Sequence, residues 1–121
     1  MNNKQVVQKF YDEVFMNGDL SNLDNLMQDN YIQHSPEVKN GKSGFMEFIK
    51  FFLKLDPKID IINISADHDY VYVFFKCTLN NGHINKVCDV YRLENNKLAE
   101  HWDIIEKNVE AVKTASRNPL F

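Results

Sequence analysis

The order of patterns along the 121-residue chain predicts an α+β fold: N-terminal helices packed on one side of a curved antiparallel sheet. Three observations predict it. Apolar residues recur at helical spacing in two segments of the first half, around Val6–Phe15 and Phe45–Leu53. The second half alternates apolar and polar residues at period two, most clearly from Tyr70 to Leu79. Turn-forming stretches at Asp67-His68-Asp69, Asn80-Asn81-Gly82 and Glu94-Asn95-Asn96-Lys97 separate the strand runs as hairpins. Three helices laid on such a sheet leave a cone whose mouth admits a small molecule.

Residues 3 to about 17 form the first predicted helix, with Val6, Val7, Phe10, Tyr11, Val14 and Phe15 toward the core and Gly18 at its end. A shorter element follows, edged by Leu23, Leu26 and Met27. Tyr31 to His34 is a short strand that stops at Ser35-Pro36, because proline holds the residue before it extended. His34, at the end of that element, is a candidate for the pocket mouth. The second strong helix spans Gly41 to Leu55, with Ser43 as its expected cap and Asp56-Pro57 as its stop. Strands then run from Lys58 to Ala66, Tyr70 to Leu79, about His83 to Leu93 and on to about Glu106. The tail from 107 to 121 holds one helical turn near Val109. It ends in Leu120 and Phe121, which dock on the domain or on a partner or stay disordered.

Length and composition bound the function. One domain covers residues 1–121, and nine Phe with five Tyr supply enough large side chains to fill a core and line a cavity. A net charge of −3 without any basic run speaks against a nucleic-acid surface. The opening MNNKQVVQKFYDEVF is charged throughout, which fits neither an export signal nor a membrane span, and a cytoplasmic location is expected. Cys77 and Cys88 fall in different strands without metal-like spacing, so free thiols are expected.

The chemistry concentrates in VCDVYRLENNKLAEHWDIIE, Val87 to Glu106. Alternation puts Asp89 on one face with Tyr91, and His101 on one face with Asp103. A plain two-residue turn would separate the two sets, whereas an extra residue in a bulge at Asn96 brings Asp89, His101 and Asp103 together. The bulged turn is the expected one. Two carboxylates and an imidazole among apolar neighbours form an acid/base device, because crowding and lost hydration force protons to be shared. A structural hydrogen-bond network is the plain alternative.

The same segments resemble the SnoaL-like, polyketide cyclase-like branch of the NTF2-like superfamily. VVQKFYDEVFMNGDLSNLDNLM, YIQHSP, GKSGFMEFIKFF, DVYRLENNKLAEHWDII and the terminal RNPLF carry the likeness, which covers nearly the whole chain. It implies a cone-shaped α+β barrel and a homodimer built on the outer sheet face, where Val90, Trp102 and Ile104 would lie. It implies that Asp103 is the acid/base residue of a ring closure that needs no cofactor and no metal. Asp89 stands where those cyclases place a histidine, a departure from their pattern.

Two functions follow as expectations. One is a cofactor-free acid/base enzyme acting on a small, apolar or polycyclic carbonyl or epoxide compound. Asp103, Asp89 and His101 would be its catalytic residues, and Tyr31, Tyr91 and His34 would bind and orient the substrate. The other is a non-catalytic ligand-binding or scaffold protein of the same fold. A metal site built from His34, His101 and one aspartate is a third, weaker candidate.

Overall fold

The first helix is capped reciprocally: the Asn2 side chain accepts the Gln5 N–H at 2.8 Å, and the Gln5 side chain accepts the Asn2 N–H at 3.0 Å. In this computed structural model, which describes all residues Met1–Phe121, α1 runs Asn3–Phe10. It continues as a π-helical turn, Tyr11–Met16, rather than as the single helix expected to residue 17. The wider ladder shows in the Asn17 N–H, which donates to the Asp12 carbonyl at 3.1 Å. Tyr11 and Val14 are both buried by this turn, and Gly18 leaves it at a φ of 65°, which a side chain would disfavour.

A one-turn helix α2, Leu23–Leu26, leads directly into β1, Met27–Gln33. β1 therefore begins earlier than the expected Tyr31. α3 spans Gly41–Phe52 and tightens into a 3-10 turn, Leu53–Leu55, closed by Asp56 at a left-handed φ of 48°. Its N-cap is Asn40, not the expected Ser43. The Asn40 side chain accepts the Gln33 N–H at 2.8 Å and so ties the start of α3 to the end of β1. Gly44 lets the preceding loop cross close over α3, since a Cβ there would lie 2.0 Å from the Lys39 carbonyl oxygen.

The remaining strands are β2, Lys58–Asp67; β3, Tyr70–Thr78; β4, Ile84–Glu94; and β5, Lys97–Glu106. They form a meander of antiparallel neighbours in the order β1-β5-β4-β3-β2, in which β1 pairs with β5 in parallel. That edge departs from an all-antiparallel sheet. The core joins Val6 and Phe10 of α1 and Ile49 of α3 to the inward rows of the sheet, among them Val71, Leu93 and Leu98, all 2 % exposed or less. Three helices on a curved, unclosed five-stranded sheet make an α+β cone, as the sequence predicts.

The central hairpin closes differently from its expected form. Asn95 and Asn96 both adopt left-handed φ values, 50° and 60°, so Glu94 pairs with Lys97 across a two-residue turn. The extra residue sits inside β5 instead: Leu93 faces Leu98 while Arg92 faces Glu100, which leaves Ala99 unpaired. Beyond this bulge Tyr91 faces His101 and Asp89 faces Asp103. On the outer face, Val90 stands between Tyr72 and Trp102, and Cys88 between Phe74 and Ile104. The C-terminus folds back onto this face, with the Phe121 ring stacked 6.4 Å from Phe74 and the Lys76 ammonium 5.5 Å from the Phe121 ring centre.

Candidate functional site

The inner face of the sheet and the helices enclose a cavity of about 310 Å³. Its walls are largely aromatic, with Phe15, Phe45, Phe48, Phe52 and Phe75 among them. The Glu37–Lys107 ion pair, 2.8 Å, lies among the residues that line it. Polar groups converge on the wall formed by β1, β4 and β5. Asp89, His101 and Asp103 meet there, as the sequence predicts, with ligating atoms all within 4.8 Å of one another. Asp89 and His101 are 6 % and 7 % exposed; Asp103 is half-buried.

Asp89 is saturated. Its Oδ2 accepts from the Tyr11 hydroxyl in a very short contact and from the Tyr91 hydroxyl at 3.2 Å, and its Oδ1 lies 2.9 Å from His101 Nε2. The two phenols also touch, at 2.9 Å. Burial, followed by the Asp89 charge, pushes both phenols well above the ordinary tyrosine value, so they remain proton donors. Tyr91 therefore lines the cavity with its hydroxyl already committed. His101 is equally engaged, with Nδ1 2.6 Å from the Gln33 side-chain oxygen and its ring 4.8 Å from that of Tyr91.

Asp103 is different. Its only hydrogen bond is at Oδ2, which accepts from the Ser35 hydroxyl at 2.7 Å; Oδ1 has no partner. Tyr31 is 1 % exposed, yet its hydroxyl has no protein partner. No side-chain polar atom is both enclosed and unpartnered, so the hydroxyl of this cavity-lining residue borders open space. Burial raises the Tyr31 phenol, and the charges of Asp89 and Asp103 raise it further. The site thus offers one free carboxylate oxygen and one free phenol. Cys77 also lines the cavity, but burial pushes its thiol up to about 11, which keeps it protonated and a poor nucleophile.

His34 does not join the site. Along β1 and its extension, Tyr31, Gln33 and Ser35 turn inward, and His34 between them turns outward. It stacks on Trp102 at 4.8 Å, and its Nε2 lies 2.7 Å from Glu100. The two-histidine metal set is therefore not assembled. Tyr11, Gln33 and Ser35 belong to the site although the sequence reading did not single them out. Period-two alternation from Tyr31 was the signal for the last two.

The molecule holds no helix long and apolar enough to cross a membrane. None of the curated proteins compared with the chain matches it. Solved structures do. A SnoaL-like polyketide cyclase from Agrobacterium tumefaciens superposes with a TM-score of 0.70 at 16% identity, covering 88% of this chain and 92% of that one. An NTF2-like protein of unknown function from Cytophaga hutchinsonii gives 0.73 at 12%, covering 88% and 91%. Bal32a, from a soil-derived mobile gene cassette, gives 0.74 at 17%, covering 85% and 88%. At such identities the likeness shows the fold, which is NTF2-like. The sequence profile of one family spans residues 5–109, nearly the whole domain, and so the chain belongs to the SnoaL-like polyketide cyclases.

Proposed function

We propose that the protein is a cofactor-free acid/base enzyme acting on a compact, largely apolar carbonyl or epoxide compound, with Asp103 as the proton-transfer group. One observation carries this reading. In a polar cluster whose other members are tied to each other, Asp103 Oδ1 and the Tyr31 hydroxyl are left without protein partners. A network serving only to hold the fold would satisfy them as fully as it satisfies Asp89. For a carbonyl substrate the roles divide simply. Asp103 takes a proton from the carbon next to the carbonyl, the C–H electron pair moves into a C=C bond, and the carbonyl oxygen gains negative charge. The Tyr31 hydroxyl donates to that oxygen. Return of the proton to another atom gives an isomer; attack of the enolate carbon on a second carbonyl gives a ring.

Cavity size narrows the substrate. A cavity of about 150 Å³ holds benzene, and this one is about 310 Å³. One or two rings suit it better than a polycyclic ligand. The non-catalytic reading has Asp89 and His101 in its favour, since both are fully satisfied.

A thermal-shift screen of one- and two-ring ketones and epoxides, with products followed by mass spectrometry, separates the two readings. A compound that stabilises both the wild type and Asp103→Asn, and is converted by the wild type about 10²–10⁴-fold faster, supports catalysis at Asp103. Equal stabilisation with no product from either protein supports a carrier.

A further inference from the structure

The Gln33 side chain lies between two partners that decide its orientation. The Ser35 backbone N–H, which can only donate, points at the Gln33 Oε1 at 3.0 Å. That contact fixes which end of the amide is the oxygen. The same Oε1 lies 2.6 Å from His101 Nδ1, so Nδ1 must carry a proton to make a hydrogen bond there. The other ring nitrogen, Nε2, faces Asp89 Oδ1 at 2.9 Å, and Asp89 already accepts from two phenols at Oδ2. As a carboxylate with two O–H donors on Oδ2, Asp89 takes an N–H at Oδ1; a neutral carboxyl would instead set its own proton toward Nε2.

We propose that Gln33 is a positioning residue that holds His101 as a ring protonated on both nitrogens, a fixed positive charge beside Asp103. The groups around the ring agree. Asp89 and Tyr91 face it from β4, Gln33 and Tyr31 from β1, and Asp103 shares its strand; Tyr11 acts on it through Asp89. The Tyr91 ring lies 4.8 Å from it, within the reach at which an aromatic ring favours a cation, and the Tyr31 ring lies farther off at 6.3 Å with planes only 15° apart. With both N–H groups engaged, His101 neither accepts a proton from a ligand nor gives one up. Its service is electrostatic: it stabilises the Asp103 carboxylate and any negative charge that develops on a ligand oxygen beside Tyr31. The catalytic value of this charge rests on the reading of Asp103 given above, whereas the protonation of the ring rests on the hydrogen-bond geometry at Nδ1 and on Asp89 facing Nε2 as a carboxylate.

Long-range proton–nitrogen correlation spectra of protein labelled with ¹⁵N-histidine, recorded at neutral pH, test the assignment without any substrate. His101→Gln identifies the signals. The wild type is expected to show both His101 nitrogens in the protonated-nitrogen range. Gln33→Glu, which keeps an acceptor at Nδ1, is expected to keep that pattern. Gln33→Met, which fills the volume but accepts nothing comparable, is expected to move Nδ1 toward the unprotonated range in a detectable fraction of molecules. A bare nitrogen at either ring position in the wild type overturns the proposal, and so does a Gln33→Met spectrum identical to wild type. Should Gln33→Met fail to fold, the wild-type and Gln33→Glu spectra still decide it. A catalytic readout stands apart: where a ketone is turned over, Gln33→Met is expected to lower kcat with little change in KM. Absence of turnover by the wild type counts against the catalytic reading of Asp103 and leaves the spectra to judge Gln33.

Discussion

Two tyrosines of one cavity differ in what their hydroxyls do, and they are expected to respond differently to the same truncation. Tyr11 donates to a buried carboxylate. Tyr11→Phe leaves Asp89 short of a donor and is expected to cost about 1.5–3 kcal/mol in urea denaturation. The Tyr31 hydroxyl holds nothing in the protein, so Tyr31→Phe is expected to stay within about 0.5 kcal/mol of wild type. Tyr31→Phe is instead expected to slow turnover of a carbonyl compound. A Tyr31→Phe protein as unstable as Tyr11→Phe would show that the hydroxyl has a structural partner after all. This contrast also marks what was legible at the residue scale. Asp89, Tyr91, His101 and Asp103 could be read from strand alternation because each interrupts an apolar run. Tyr11 could not: on a helix it counts as one more apolar residue, and only the fold brings its hydroxyl to a carboxylate 78 positions away. His34, expected at the pocket mouth because it ends a strand, lies one step of alternation away from the inward row, which on a strand is the difference between cavity and outer face.

At the scale of elements, what was readable was that the hairpin needed one unpaired residue; where it would sit was not. Two adjacent asparagines can both take left-handed backbone, so the turn closes on them alone and the irregularity moves into β5. Ala99, small and 2 % exposed, absorbs it. The parallel β1–β5 edge was equally hidden, since pairing between distant segments leaves no local pattern. Two contacts between elements carry predictions. Gly44→Ala would place a Cβ against the Lys39 carbonyl, a backbone atom that cannot swing aside, and is expected to destabilise by about 1–3 kcal/mol in denaturant titration. Glu110 fastens the turn after β5 to the start of β4. It accepts the Ile84 N–H at 3.0 Å and lies 2.9 Å from His83 Nδ1, contacts that hold its carboxyl down to about 2 against an ordinary 4.5. A carboxylate depressed in the folded state adds stability above its unfolded value, and that stability is lost as pH falls through its folded value. The melting temperature is therefore expected to fall between about pH 4.5 and 2 partly through this group. Glu110→Gln, compared by calorimetry across that window, is expected to show a shallower decline.

For the whole molecule, the outer sheet face is the surface that an association would use. Its two central rows, Tyr72-Val90-Trp102 and Phe74-Cys88-Ile104, are apolar across three strands, and Ile104 is 72 % exposed at the end of one of them. A contiguous apolar patch on a sheet that already buries its other face is a surface for association. Phe121 covers only part of it, at Phe74. We propose a homodimer formed through this face, which would leave the cavity on the opposite side of the sheet open in both protomers. Ile104→Lys sets a charge into the patch without touching the core, so it is expected to change folding stability by no more than about 0.5 kcal/mol while shifting the protein to monomer in sedimentation velocity. Removing residues 116–121 would uncover Phe74 as well and is expected to leave the dimer at least as tight. A wild type that sediments as a monomer at all concentrations would reject the interface. A lysine variant that remains dimeric would place the contact elsewhere on the molecule. Turnover offers an independent check. If each cavity is complete within one chain, as the enclosure of Asp103 and Tyr31 by their own helices and strands implies, the monomeric variant should retain wild-type activity per protomer.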